Sequence, residues 1–214
     1  MIWQYMVEHQ QRIMTLVLQH FMLFAVSMAF TLLFGMVISI YAGREKALQV
    51  GETILSITAA AQAVPSVAVV ALVFLFIGIG ATPAIVALVI YSLVPIVFNA
   101  TSGLLSVDSK IIEAARGTGY TDRQILWKIK IPIATPVIMA GIRSAATINI
   151  GTATVAAVIG GGGLGDLIFT GIKLNRDHII IIGAVLTSLI AIIIDTLFFY
   201  LEKRVTPRGL QVNR

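Results

Sequence analysis

The stretch 112-IEAARGTGYTDRQILWKIKIPIATP-136 decides how this chain is read. It is polar, basic and helix-forming, yet it lies between long apolar runs. Thr53 to Val107 before it carries no charge, and Ala134 to Ile159 after it carries only Arg143. Asp108 can cap a first helix, SKIIEAARG. That helix should end at Gly117 or Gly119, because glycine tolerates the left-handed backbone of a helix C-terminus. Thr121 then opens a second helix, and Gln124 three residues later gives the capping-box spacing. Ile125, Leu126 and Ile129 form an apolar stripe at helical spacing. Pro132 and Pro136 bracket the start of the next apolar run. The stretch is expected to form two short amphipathic helices meeting at a glycine turn.

The rest of the chain says what the hairpin is held against. Of 214 residues, 58% are hydrophobic and 12% charged, and the mean hydropathy is +0.97. Soluble domains carry about a quarter charged residues, so the chain reads as an all-α membrane protein. It has no cysteine, which excludes disulfides and thiolate metal sites. The N-terminus lacks a basic segment before an apolar core and a small-residue cleavage site, and is expected to be retained.

A helix needs about 20 apolar residues to cross a hydrocarbon core of about 30 Å. Phe21 to Tyr41 suffices for one crossing. Thr53 to Val107 is too long for one, and GIGATP (Gly78 to Pro83) divides it into spans over 54–77 and 82–104. Ala134 to Ile159 gives a fourth, and Ile179 to Leu201, with Asp195 inside it, a fifth. Five spans put the termini on opposite sides.

Loop charge sets the orientation. One side receives Arg44, Lys46, Lys110, Arg116, Arg123, Lys128, Lys130, Lys203, Arg204, Arg208 and Arg214; the other receives Arg12, Lys173 and Arg176. The richer side is the expected cytoplasmic side, so the N-terminus lies outside and the C-terminus inside. The pI of about 9.7 is thereby explained without nucleic acid. The expected organisation is an extracytoplasmic interfacial segment at 1–20, one transmembrane domain at 21–201 with a cytoplasmic hairpin at 108–132, and a cytoplasmic tail at 202–214. In the first segment Ile13, Leu16 and Val17 make an apolar face, and Trp3 and Tyr5 suit headgroup depth.

A solvated linker would not need two capped helices, since connections in helical bundles run about 2–8 residues. A DNA-reading helix-turn-helix is excluded by spans on both sides. A docking element for a cytoplasmic partner remains, with Ala114 and Ala115 small enough for close approach and Glu113, Arg116 and Arg123 at the rim.

Glu113-Ala114-Ala115, three residues, Gly119, nine residues, then Ile129-Lys130-Ile131-Pro132 resembles the EAA loop of bacterial ABC importer permeases. Ile131 stands where that family usually has leucine, a change of little volume. The resemblance extends to a five-span, type I importer core over nearly the whole chain. The tract 151-GTATVAAVIGGGGLGDLIFTGI-172, AVPS at Ala63 to Ser66 and YSLVPIVFN at Tyr91 to Asn99 are similar to the osmoprotectant branch. It implies a multi-pass permease of the bacterial cytoplasmic membrane that moves glycine betaine, carnitine or choline. The methionine-importer permeases share the EAA loop and a similar glycine-rich tract and are the alternative.

The resemblance further implies that Glu113, Ala114, Ala115, Gly119, Ile129, Ile131 and Pro132 couple to a separate cytoplasmic ATPase. The ATPase would bind ATP and Mg, while this chain would hold no cofactor. A second permease copy or paralogue and an extracytoplasmic binding protein complete the implied assembly. No G-x-x-x-x-G-K-[ST] motif occurs, so the chain has no P-loop of its own.

Pathway candidates are Pro65, Ser66, Pro95, Asn99, Asn149 and Thr152. The two prolines are expected to kink spans two and three. Asn149 and Thr152, with Gly151, Ala153 and Thr154, make span four the most polar helix. Arg143 and Asp195 are costly in lipid unless paired or at a boundary. Gly160-x-Gly162-x-x-Gly165 matches a dinucleotide fingerprint formally, but no strand precedes it. His9, His20 and His178 lack metal-ligand spacing.

Overall fold

The computed structural model describes residues 2–44 and 47–207, and every regular element among them is helical. In chain order these are α1 (Ile2–Glu8), α2 (Gln10–Ala42), α3 (Leu48–Ala61), α4 (Ser66–Ile77), α5 (Ala81–Leu105), α6 (Ser109–Gly117), α7 (Asp122–Ile125), α8 (Ile131–Ala156), α9 (Gly165–Lys173) and α10 (Asp177–Val205). A π turn, Leu126–Lys130, joins α7 to α8, and a 3₁₀ turn, Ala157–Ile159, ends α8.

Among the described residues, α2, α5, the continuous run from α7 through α8 and its 3₁₀ turn (Asp122–Ile159), and α10 are each long and apolar enough to cross a membrane. The pair α3 and α4 makes a fifth crossing if it counts as one broken span. The break is where the sequence predicts only a kink. Pro65 sits outside both helices, extended at φ −67° and ψ 139°, immediately before α4. Its missing N–H costs nothing at a helix start, and its ring disfavours helical backbone at Val64. Pro95, in contrast, lies inside a continuous α5.

The start of α2 also differs from expectation. Residues 10–20 are not a separate interfacial helix but the first turns of one 33-residue helix. Ile13 and Leu16 are buried with Tyr5, Leu164, Leu167, Ile179 and Ile182, and Val17 packs on the same cluster. The apolar stripe is covered by protein, not by headgroups.

The chain forms two compact units. The first comprises Met1–Thr31, Val64–Ser92 and Ala146–Asp195. One of its cores joins Leu23, Val70 and Val73 to Ala84, Ala87, Ala153 and Ala156. Those four alanines are fully buried, and small side chains are what bring membrane helices into close contact.

The second unit comprises Leu32–Ala63, Leu93–Ala145 and Thr196–Arg214. There a Cβ on Gly141 of α8 would lie 2.6 Å from the Asn99 Cβ of α5 and 3.0 Å from the Pro95 carbonyl oxygen, so the two helices meet almost backbone to backbone. Arg143 does not face lipid alone. Its guanidinium lies 3.8 Å from the Glu202 carboxylate and 5.2 Å from the centre of the Phe199 ring, both on α10.

Candidate functional site

The hairpin forms as its sequence dictates. The Asp108 carboxylate accepts from the Lys110 N–H at 2.9 Å and caps α6. Gly119 has φ +87°, and the Tyr120 N–H returns to the Ala115 carbonyl at 3.1 Å, closing the helix end. A Cβ at Gly119 would meet nothing within 4 Å. The glycine is required by backbone conformation, not by crowding. At Thr121 both halves of a capping box are made: the Gln124 N–H donates to Thr121 Oγ1 at 3.4 Å and the Thr121 N–H to Gln124 Oε1 at 2.9 Å.

Ile112, Ala115 and Ile125 are buried with Val107, and Ile129 packs against them. Ala115 therefore serves the hairpin's own core, whereas Ala114 beside it is exposed. Glu113, Arg116, Gly119 and Arg123 are also exposed. Ile131 and Pro132 are half-buried at the start of α8. The exposed face carries three large apolar groups that pattern reading missed: Ile111, Tyr120 and Trp127. Only their departure from the buried stripe signalled them.

Lys130 was legible only as a loop charge. It is 5% exposed, and its ammonium donates to the Gly43 carbonyl at 2.6 Å, just beyond the end of α2. It borders a cavity of about 570 Å³ that Arg44, Asp122, Arg123 and Trp127 also line.

The pathway candidates fall in both units. In the second, Asn99 and Pro95 lie together: Asn99 Nδ2 donates to the Pro95 carbonyl at 2.8 Å. In the first, Pro65 is exposed and Ser66 half-buried. Asn149 is fully buried; it accepts from Ser27 Oγ at 3.0 Å and donates to Ser92 Oγ at 2.9 Å. Thr152 is buried too. The exposed face of α8 in this unit carries Thr147 and Gly151 instead, and a Cβ at Gly151 would meet nothing.

The glycine-rich loop is held, not slack. Gly160, Gly162 and Gly163 have φ of 76°, 77° and 81°. The Gly163 N–H donates to Gln19 Oε1 at 3.2 Å and the Leu164 N–H to His20 Nδ1 at 3.4 Å. Two α2 side chains thus accept from backbone amides just before α9.

The family model for the inner membrane component of binding-protein-dependent transport systems matches residues 35–207, which contain the whole hairpin. The chain belongs to that family. It is a membrane transport component, and ATP hydrolysis belongs to a partner subunit. The osmoprotectant import permease protein OsmY of Salmonella typhimurium is 45% identical over 189 residues, covering 88% of this chain and 80% of that protein. The glycine betaine/carnitine/choline transport system permease protein OpuCB of Bacillus subtilis is 45% identical over 150 residues, 70% of this chain and 69% of that one. OsmW of Salmonella typhimurium is 37% identical over 212 residues, 97% and 98% of the two chains. Among solved structures, an inward-facing form of the MetNI methionine ABC transporter aligns with a TM-score of 0.80 at 21% identity, covering 91% of this chain and 96% of that one. That likeness bears on fold: it is the type I importer fold expected from the sequence. Families of this kind work with an ATPase and a substrate-binding protein.

Proposed function

We propose that this chain is the permease subunit of an ATP-driven importer of quaternary-ammonium osmoprotectants: glycine betaine, carnitine and choline. The observation that carries the substrate class is the 45% identity, over 88% of the chain, to an osmoprotectant import permease. The methionine alternative draws only on a likeness at 21% identity.

The hairpin is the coupling element. Its caps fix a rigid two-helix wedge, and its exposed face offers Glu113, Ala114, Arg116 and Gly119 with Ile111 and Tyr120 as apolar contacts. Ile129, Ile131 and Pro132 seat the wedge on α8. The partners are two cytoplasmic ATPase subunits that bind ATP and Mg, a second permease copy or paralogue, and an extracytoplasmic binding protein. ATP-driven closure of the ATPases moves the paired hairpins, and the pathway alternates between outward and inward openings. Pro65, Ser66, Pro95 and Asn99 shape that pathway, the exposed face of α8 at Thr147 and Gly151 lines it, and Asn149 and Thr152 hold that face in place. The N-terminal segment is extracytoplasmic; the hairpin and the tail from 202 are cytoplasmic.

Uptake by the purified complex in proteoliposomes tests the substrate. ATP-dependent uptake of glycine betaine, choline or carnitine without methionine is the expected result; methionine alone would overturn it. A cysteine at Thr121, unique in this cysteine-free chain, should react with thiol reagents only from the cytoplasmic side.

A further inference from the structure

We propose that Lys130 is a positioning residue that ties the hairpin to the C-terminal end of α2, so that α2 travels with the hairpin when the ATPase acts. The inference rests on reading the hairpin as the coupling element.

The hairpin continues by covalent chain into α8, which begins at Ile131. It has no such continuity with α2, since Lys130 and Gly43 are 87 residues apart. Lysines at a membrane face ordinarily extend their ammonium to water. This one is buried, and a buried charge is costly unless its hydrogen bonds are made. Its partner is a carbonyl at the end of a helix, where carbonyls lack intrahelical donors and the helix dipole favours a cation. The Lys130 Nζ lies 2.6 Å from that carbonyl, within direct hydrogen-bond reach. The end of α2 is itself seated, because a Cβ on Gly43 would lie 2.6 Å from Leu104 of α5. Lys130 leaves the chain at the last residue of the π turn, and such turns recur at functional positions in helices. α2 is one uninterrupted helix, and it also carries Gln19 and His20, which hold the glycine-rich loop.

The test uses the full complex of permease, ATPase and binding protein. Spin labels on Tyr41→Cys and Lys128→Cys report the distance between the end of α2 and the hairpin. With Lys130 present, the distribution should be the same without nucleotide and with ATP and vanadate; in Lys130→Met it should shift or broaden. A shift between states with Lys130 present would overturn the proposal, whatever the variant does. In transport, Lys130→Met should assemble with the ATPase and hydrolyse ATP, while glycine betaine taken up per ATP falls by about five-fold or more, the range of typical coupling. Lys130→Arg should restore most of it. Unchanged uptake per ATP in Lys130→Met would also overturn the proposal. Failure of the coupling reading itself is separable: Glu113→Arg would then transport normally, while the spin-label distances still report on Lys130.

Discussion

Asn149 of α8 donates to Ser92 of α5 at 2.9 Å, and its other amide atom accepts from Ser27 of α2. One side chain thus pins three helices, with its polar groups satisfied and no exposed surface. Asn149→Ala removes both inter-helix bonds, although Ser27 Oγ keeps the Leu23 carbonyl of its own helix, at 2.6 Å, as an acceptor. The measured worth of such bonds in membranes averages about 0.6 kcal/mol, and two of them predict a loss of about 1 kcal/mol. Thermal unfolding in detergent should show a lowered midpoint. The substrate concentration for half-maximal uptake should not move, because the side chain is fully buried; a selective change in that concentration would mean that Asn149 acts on the substrate and not only on packing.

Gly119 separates backbone from contact. With φ at +87° and open space around it, substitution is costly through conformation. Gly119→Asn should keep most ATPase association, since asparagine tolerates the left-handed region, whereas Gly119→Val should lose about 1–2 kcal/mol of hairpin stability. Co-purification of the ATPase with each variant measures the order. Equal behaviour of the two would mean that the partner, not the turn, demands the glycine.

Arg143 and Glu202 predict a charge-swap result. Both side chains are about a third exposed, so the pair is worth about 1 kcal/mol at most. Glu202→Gln should cost less than Arg143→Met, because Arg143 also lies over Phe199. Arg143→Glu with Glu202→Arg should recover only part of the stability lost in either single reversal, as the ring contact is not rebuilt. Unfolding midpoints of the five variants check this; no recovery would mean that the pair contributes nothing.

The hairpin was legible because its determinants are local: Asp108, Gly119, Thr121 and Gln124 act on amides or dihedrals within a few residues. What the sequence hid are relations between helices. Periodicity showed that Ile13, Leu16 and Val17 share a face, but not that Leu164 and Ile179 cover it. Asn149 and Thr152 marked α8 as polar, but which face they occupy depends on where α2 and α5 pack. Lys130 counted as one more positive charge, because a carbonyl 87 residues away leaves no trace in spacing. Pro65 was visible as a perturbation; whether it bends a helix or ends one depends on the residues around it, and here it ends one.

The hold of α2 on the glycine-rich loop gives the last prediction. A Cβ on Gly162 would lie 2.7 Å from Gln19 Oε1, and φ there is +77°. Gly162→Ala therefore carries two costs, about 1–2 kcal/mol of left-handed strain and a collision with the side chain that binds the next amide. Gln19→Ala removes that side chain and leaves the Gly163 N–H without its acceptor. The collision is absent from the double variant, so Gln19→Ala with Gly162→Ala should cost less than the two singles added, by about 0.5 kcal/mol or more. The same cycle run on uptake per ATP should be non-additive in the same sense if the loop gates the pathway. Non-additivity in stability with strict additivity in uptake would leave the contact in place and remove its role in transport.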